Sequence, residues 1–490
     1  VAVLTDLAAG LRPGDDRPAV LTTGRTGRPR VAATRADLAG LTSGYATALR
    51  HAGLSAGDTL GIAVRPGGRA LAVLLAAYRI GVRVAVLDPS AGPDVLAARL
   101  ALARPALVVA DAAAQAVAGW ARPLARRAGL ALPELAALGP VVTVGRRLPG
   151  CAPRLDPRGG PAPAAFDGDG DAVVVFTSGT TSRPRAVVHT RAGLAAGMRA
   201  VVDLVRPEPG RPVVGGTSFV LVPALANGAP VALPARSPAV LARQVAHLRP
   251  QASYLTPPQA RALLARSPRL TGRFYSGSAP VSGHLLARLR AAGADQAWGV
   301  YALTELFPAA AVESRDKPPV ADPRAGDLVG APLPGVRAWT DRTGELLLDG
   351  PARYHRYLGE EPATEVRTGD AGRLVDGRIV LAGRRKDMVL RGAENIYPGL
   401  YEPALHVPGV DLAVLVGVPV GDGDEHLVAV VQPAPGADPR RVRAALAPVL
   451  DRMGGARPDR VLLATVPTAG RSGKPDRAAA AALAASAVTG

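Results

Sequence analysis

Between residues 173 and 190 the chain reads VVVFTSGTTSRPRAVVHT. Four apolar residues, Val173 to Phe176, run into a stretch of hydroxyl and glycine residues; Arg183, Pro184 and Arg185 then lead into a second apolar run. That order reads as strand, anion-cradling loop, strand. Gly179 lets the backbone approach an anion closely, and Thr177, Ser178, Thr180, Thr181 and Ser182 offer hydroxyl donors. The two guanidiniums add charge in a fork that matches phosphate oxygens. No G-x-x-x-x-G-K-[ST] spacing fits and no helical pattern follows at once, so this is not a Walker loop. A plain solvated turn has the same composition, and composition alone leaves both readings open.

Other reactive residue types are scarce. Of 58 basic residues only three are lysines, Lys317, Lys386 and Lys474, so a lysine standing where chemistry wants one is less easily read as surface filler. Cys151 is the single cysteine, which rules out an internal disulfide and leaves no thiol partner for zinc, as in a reducing cytoplasm. The seven histidines show no metal-ligand spacing. Asp167, Asp169 and Asp171 resemble the start of a calcium loop, but its twelfth position is Ser178 rather than glutamate, so a solvated turn is expected there. The net charge of +18 is spread over the whole length, with only 3% aromatic residues and no nucleic-acid motif, so no specific nucleic-acid partner is expected.

The elements that would carry these residues follow from periodicity. Residues 35–52 have helical spacing, Thr59–Val64 is a short buried strand, and a helix is expected near Ala70–Tyr78. The strand Val82–Asp88, a helix at Pro93–Ala103 and the strand Ala106–Asp111 follow, and this alternation argues for a doubly wound α/β layer with a mainly parallel sheet. Proline and glycine accumulate from Ala121 to Ala165, where a connection is expected. A helix is expected over Ala192–Leu204, short strands alternate with turns from Gly326 to Gly383, and the tail reads as a compact α+β unit. With 490 residues, 48% of them hydrophobic, the chain can build two or three cores. Apolar runs are broken before the ~18 residues a membrane span needs. The first residues, VAVLTDLAAGLRPGDD, lack a basic region before a long apolar run, so a cytoplasmic protein is expected.

The loop resembles the T-S-G-T-T-G-x-P-K-G sequence of the adenylate-forming superfamily, which includes acyl- and aryl-CoA synthetases, adenylation domains of nonribosomal peptide synthetases and luciferases. Ser182 replaces the second glycine, Arg185 the lysine and Ala186 the last glycine. Further motifs follow in the family's order as far as Lys474. Gly277, Ser278, Ala279 and Pro280 resemble the G-G-A-P turn that packs on one face of adenine. VYALTELFP resembles Y-G-x-T-E, which implies Tyr301 on the other adenine face, Thr304 at the α-phosphate and Glu305 at Mg2+, a cation that takes hard oxygen ligands. Ala302 replaces that motif's glycine, and Gly299 stands where many relatives have an amide that reads adenine. VRTGDAG resembles the T-G-D motif, which assigns Asp370 to the ribose hydroxyls. In GRRKDMVLRGAENIYP, Arg384 matches the arginine that contacts ribose and phosphate, and Lys386 the hinge. Ala393 replaces a glycine of the loop that lines a phosphopantetheine tunnel in relatives, and TAGRSGKPDR places Lys474 on the family's final, mobile loop.

The resemblance implies an α/β protein with a large N-terminal domain, residues 1–385, of doubly wound layers plus a β-rich subdomain at about 326–383. Residues 386–490 would form a small mobile α+β lid. It also implies ATP and Mg2+, and activation of a small carboxylic acid as its acyl-adenylate with release of pyrophosphate. Lys474 would sit between carboxylate and α-phosphate, with Arg185 and the loop hydroxyls on the pyrophosphate. CoA or a phosphopantetheine carrier protein would then supply an accepting thiol. Two alternatives stand beside this: an adenylate used without a thiol, as in olefin β-lactone synthetases, and a nucleotide-binding pseudoenzyme. Pocket candidates are Gly216, Phe219, Ser276, Trp298, Leu303 and Phe307. None is acidic, so fatty, aryl or hydroxy acids are expected rather than amino acids. The small residues Gly215 and Gly216 either open the pocket or let two elements pack closely.

Overall fold

The computed structural model describes residues 7, 10–87, 93–122, 139–158, 163–176, 185–266, 268–318, 326–391, 394–421, 424–469 and 473–489. It has the expected α/β architecture, built on two large sheets. The first has seven strands, in the spatial order Arg356–Tyr357, Ala186–Thr190, Asp171–Phe176, Arg83–Val86, Thr59–Ala63, Leu107–Asp111 and Val141–Val144. Its pairings are parallel from Asp171–Phe176 to Val141–Val144 and antiparallel at the other end. Thr59–Ala63 is buried at all five positions, as befits a central parallel strand with both faces covered. Val141–Val144 corrects one expectation: the region read as a connection supplies an edge strand, because VVTV pairs in parallel with Leu107–Asp111 despite the proline and glycine around it.

The second sheet has thirteen strands. Its α/β half runs through Ala252–Leu255, Arg273–Ser276 and Gln296–Tyr301, all parallel. At Ala310–Glu313 and Asp327–Pro332 the pairing turns antiparallel and continues into the β-rich region, whose strands extend this sheet. One core joins the two sheets: Leu60, Val84 and Val173 of the first meet Val213, Val231 and Tyr275 of the second. Side chains of the helices Arg35–His51, Gly68–Arg79 and Arg191–Val205 complete it. The first of these helices starts on a capping box, with Thr34 Oγ1 accepting from the Asp37 amide at 3.0 Å and Asp37 accepting from the Thr34 amide at 2.9 Å.

Beyond Arg384 a three-stranded sheet, Val410–Gly421, Asp424–Pro433 and Arg460–Leu463, carries cores on both faces. Ala413 and Leu415 face the helix Pro439–Leu450, while Leu412, Val414 and Val416 face Arg477–Thr489, the two-residue alternation of a strand. This unit rests on the large domain through an ion pair of Arg261 with Asp411 at 3.2 Å, and Gly473 lies so close to Pro258 that an added Cβ would stand 3.0 Å from its ring. Among the described residues no helix is long and apolar enough to cross a membrane.

Candidate active site

The strands on either side of the loop, Asp171–Phe176 and Ala186–Thr190, form an antiparallel hairpin. Thr177, Ser178, Gly179, Thr180, Thr181, Ser182 and Arg183 lie outside the described residues, as does Ala393. Asp167 and Asp169 are exposed, as expected of a solvated turn, but Asp171 is not part of it. Asp171 opens the first strand and accepts from Arg356 at 2.9 and 2.7 Å and from Arg83 at 2.7 Å. Burial alone would raise its carboxyl, but the two guanidiniums more than offset that and hold it below the usual carboxylate range. Asp169 accepts from the Ala192 amide at the start of the next helix.

Three predicted nucleotide residues meet although they are far apart in sequence. Tyr301, at the end of Gln296–Tyr301, donates its hydroxyl to Asp370 Oδ2 at 2.6 Å, and Arg384 Nε lies 2.7 Å from Asp370 Oδ1. Strand pairing sets the second contact, since Asp370 is the register partner of Arg384. Gly369 has φ +68°, and Thr368 Oγ1 accepts from the Asp370 amide at 3.0 Å, which turns the carboxylate inward. Burial pushes the Asp370 carboxyl up, against the pull of the Arg384 charge, and pushes the Tyr301 phenol well up, helped by the Asp370 charge. A ribose reaching both carboxylate oxygens would therefore exchange hydroxyl donors with Tyr301 and Arg384.

Lys474, from the C-terminal unit, lies within electrostatic reach of Arg384 and Asp370. It lies on a two-residue strand, Lys474–Pro475, paired with Thr468–Ala469 rather than on an open loop. The residue is exposed, yet desolvation and then the charge of Arg384 lower its ammonium, with Asp370 opposing and Lys386 adding to the fall. Lys386 sits in the 3-10 turn Arg385–Asp387 that follows the last strand of the large sheet and leads into the C-terminal unit. Arg477, just after Lys474, grips Glu402 at 2.7 Å and Asp387 at 3.0 Å.

The turn expected to pack on adenine follows the strand Arg273–Ser276. A Cβ on Gly277 would stand 2.8 Å from the Val300 carbonyl oxygen, so only glycine fits. Ser278 adopts φ +67°, a left-handed conformation costly for any residue but glycine, and its hydroxyl is tied to Tyr254 at 2.9 Å. Ala279 and Pro280 complete the turn at the surface.

Thr304 and Glu305 lie on the segment after Tyr301, both half-buried. Glu305 Oε1 accepts from the Tyr357 hydroxyl at 2.9 Å, and the Arg185 guanidinium stacks over the same ring, 4.8 Å from its centroid. Among the described residues no three His, Cys, Asp or Glu side chains are grouped to hold an ion. A lone carboxylate fits Mg2+, which usually keeps one or two protein carboxylates and takes its other oxygens from phosphates and water. Glu305 would hold the ion, which when bound would offset charge on the nucleotide's phosphates.

The six pocket candidates divide. Phe219 and Phe307 pack ring on ring at 4.2 Å, and Trp298 stacks on Tyr275 at 6.4 Å. Ser276 is buried with its hydroxyl given to the Leu255 carbonyl, and Leu303 packs with the core of the β-rich region. The two glycines take one role each: a Cβ on Gly215 would press on Val220 at 3.0 Å, whereas one on Gly216 would meet nothing within 4 Å. Nearby, Val201, Val205, Val220, Tyr254, Val300 and Pro308 line an apolar cavity.

Two residues that sequence reasoning passed over belong to the site. His189, fully buried in the strand Ala186–Thr190, has Nε2 2.7 Å from the Thr304 carbonyl oxygen and its ring edge-on to Phe307 at 5.4 Å. Among the described residues its Nδ1 has no hydrogen-bond partner, and burial pushes the imidazole down to about 4 despite the Thr304 contact, so the neutral ring donates from Nε2. Tyr357 is the other. A histidine inside an apolar strand and a tyrosine among arginines carried no motif, and only their position after folding marks them.

The model of the AMP-binding enzyme family matches residues 9–358. The chain is 29% identical over 312 residues to a 4-chlorobenzoate–CoA ligase of an Arthrobacter species, a match spanning 57% of this chain and 59% of that enzyme. It is 27% identical over 440 residues to an olefin β-lactone synthetase of Stenotrophomonas maltophilia, 76% of each chain. The fold matches that of an amide bond synthetase from Marinactinospora thermotolerans with a TM-score of 0.78 and 25% identity, over 98% of this chain and 99% of that one. With that family model covering well over half of its length, the chain belongs to the AMP-binding enzyme family.

Proposed function

We propose that the protein activates a carboxylic acid through attack of its carboxylate on the α-phosphate of ATP, giving an acyl-adenylate and pyrophosphate, and passes the acyl group to the thiol of CoA or a carrier protein. The observation that carries this is the convergence of Tyr301, Asp370, Arg384 and Lys474, from two strands of the large sheet, its final strand end and the lid, around one carboxylate. A carboxylate is already a nucleophile, so the protein must supply alignment and positive charge where two anions meet. Asp370 and Arg384 would hold the ribose, Lys474 would bridge carboxylate and α-phosphate, and Thr304 would contact the same phosphate. The apolar cavity and the absence of an acidic side chain among Gly216, Phe219, Trp298 and Phe307 support an uncharged tail on the acid.

A second reading concerns the acceptor alone. Similarity over three quarters of the length to a β-lactone synthetase, 76% of each chain, supports ring closure by a β-hydroxyl of the same substrate. Acid-dependent ATP–pyrophosphate exchange, run over aliphatic, aryl, β-hydroxy and amino acids, tests the adenylation step. Exchange with one class names the substrate, and added CoA then separates thioester from lactone. No exchange with any acid, while ATP binds, would sink the proposal.

A further inference from the structure

We infer that Tyr357 is a positioning residue that orients Glu305 and Arg185 toward one another across the phosphate site; the inference rests on the adenylation reading above. The residue lies on the two-residue strand Arg356–Tyr357, which pairs antiparallel with Ala186–Thr190, directly beyond the phosphate loop. Its Cα is the register partner of Val187, and the Leu358 amide donates to the Ala186 carbonyl at 2.8 Å. The ring is thus fixed beside Arg185 by backbone pairing, and the Tyr354 ring packs against it at 4.9 Å, tilted by 55°.

From that place the two ends of one side chain do different work. The hydroxyl donates to Glu305 Oε1 at 2.9 Å. Rotation of a carboxylate about its last torsion is soft, so a fixed donor on one oxygen decides where the other points. The same segment also fixes the backbone, since the Tyr354 amide donates to the Glu305 carbonyl at 2.7 Å. The ring face meanwhile carries the Arg185 guanidinium. A flat guanidinium stacks on an aromatic ring, whereas an ammonium is a compact, strongly hydrated point charge. That difference gives a physical reason for arginine at this position of the loop motif. Arg356, the neighbour of Tyr357, grips Asp171 at the base of the hairpin, so one dipeptide fastens the phosphate hairpin at both ends.

The test is ATP affinity by calorimetry on the full chain, with and without Mg2+. For Tyr357→Phe the metal-free affinity should stay within about twofold, while the tightening produced by Mg2+ should shrink about fivefold, the effect of one lost hydrogen bond to a charged group. Tyr357→Leu should also weaken metal-free binding about threefold, through the lost stacking face. Arg185→Lys should weaken metal-free binding by a similar factor in the tyrosine background and have no further effect beside Tyr357→Leu. Equal Mg2+ tightening in wild type and Tyr357→Phe would overturn the inference alone. A wild-type chain that binds no ATP would overturn the adenylation reading and this inference with it.

Discussion

Replacing His189 by glutamine should remove a measurable part of the protein's acid sensitivity. The ring is held neutral by burial, with a value of about 4 against 6.5 for an ordinary imidazole. The unfolded chain therefore takes up this proton first as pH falls. The neutral ring's contribution is complete above the unfolded value and is lost as pH drops from 6.5 toward 4. Linkage over that window gives a loss of about 2 kcal/mol between about pH 7 and about pH 5. Glutamine can keep a donor on the Thr304 carbonyl but does not titrate. Its cost at neutral pH should be about 1 to 2 kcal/mol, from a poorer hydrogen bond and the lost edge-on contact with Phe307. Urea denaturation of both proteins across that range gives the comparison directly. Acidification should move the stability difference by about 2 kcal/mol in favour of the glutamine variant, enough to close or reverse the gap. A gap that stays constant with pH would refute the assignment of a buried neutral histidine at this position.

Other perturbations reach different parts of the site. Lys474→Ala should slow adenylation at least about 100-fold, the effect of removing one preorganised donor to developing charge, and leave ATP affinity within about threefold; an unchanged exchange rate would exclude the lysine from the chemistry. Asp171→Asn leaves Arg83 and Arg356 facing each other without a full counter-charge in a mostly buried spot, so urea denaturation should register a loss of about 2 to 3 kcal/mol. Gly216→Val fills open space beside the pocket and should raise KM for bulky acids by about tenfold while sparing small ones; a uniform effect on all acids would place that space outside the substrate path.

The α/β layers were legible because apolar strands and amphipathic helices alternate at their own periods: Pro93–Ala103 is a helix where expected, and Thr59–Ala63 a strand. Val141–Val144 was hidden because a four-residue edge strand is too short to outweigh surrounding proline and glycine. Of the site, Asp370, Arg384 and Tyr301 could be named from motifs, and folding brings them together. The ion cluster at Asp171 was not legible, since its partners lie 88 and 185 residues away along the chain. Tyr357 and His189 were missed for a related reason. Each acts by touching a motif residue rather than by belonging to a motif, and such contacts exist only in three dimensions.

The distribution of lysine makes the C-terminal unit a natural target for labelling. An amine-directed dye meets only three lysine side chains in 490 residues. Lys317 is 5% exposed and paired with Asp327 at 2.5 Å, so it should react slowly. The two that remain, Lys386 and Lys474, are exposed and sit at the start of the C-terminal unit and on its site-facing hairpin. Reporter groups placed without any mutation would thus mark the turn that enters the C-terminal unit and the hairpin that brings Lys474 to the site.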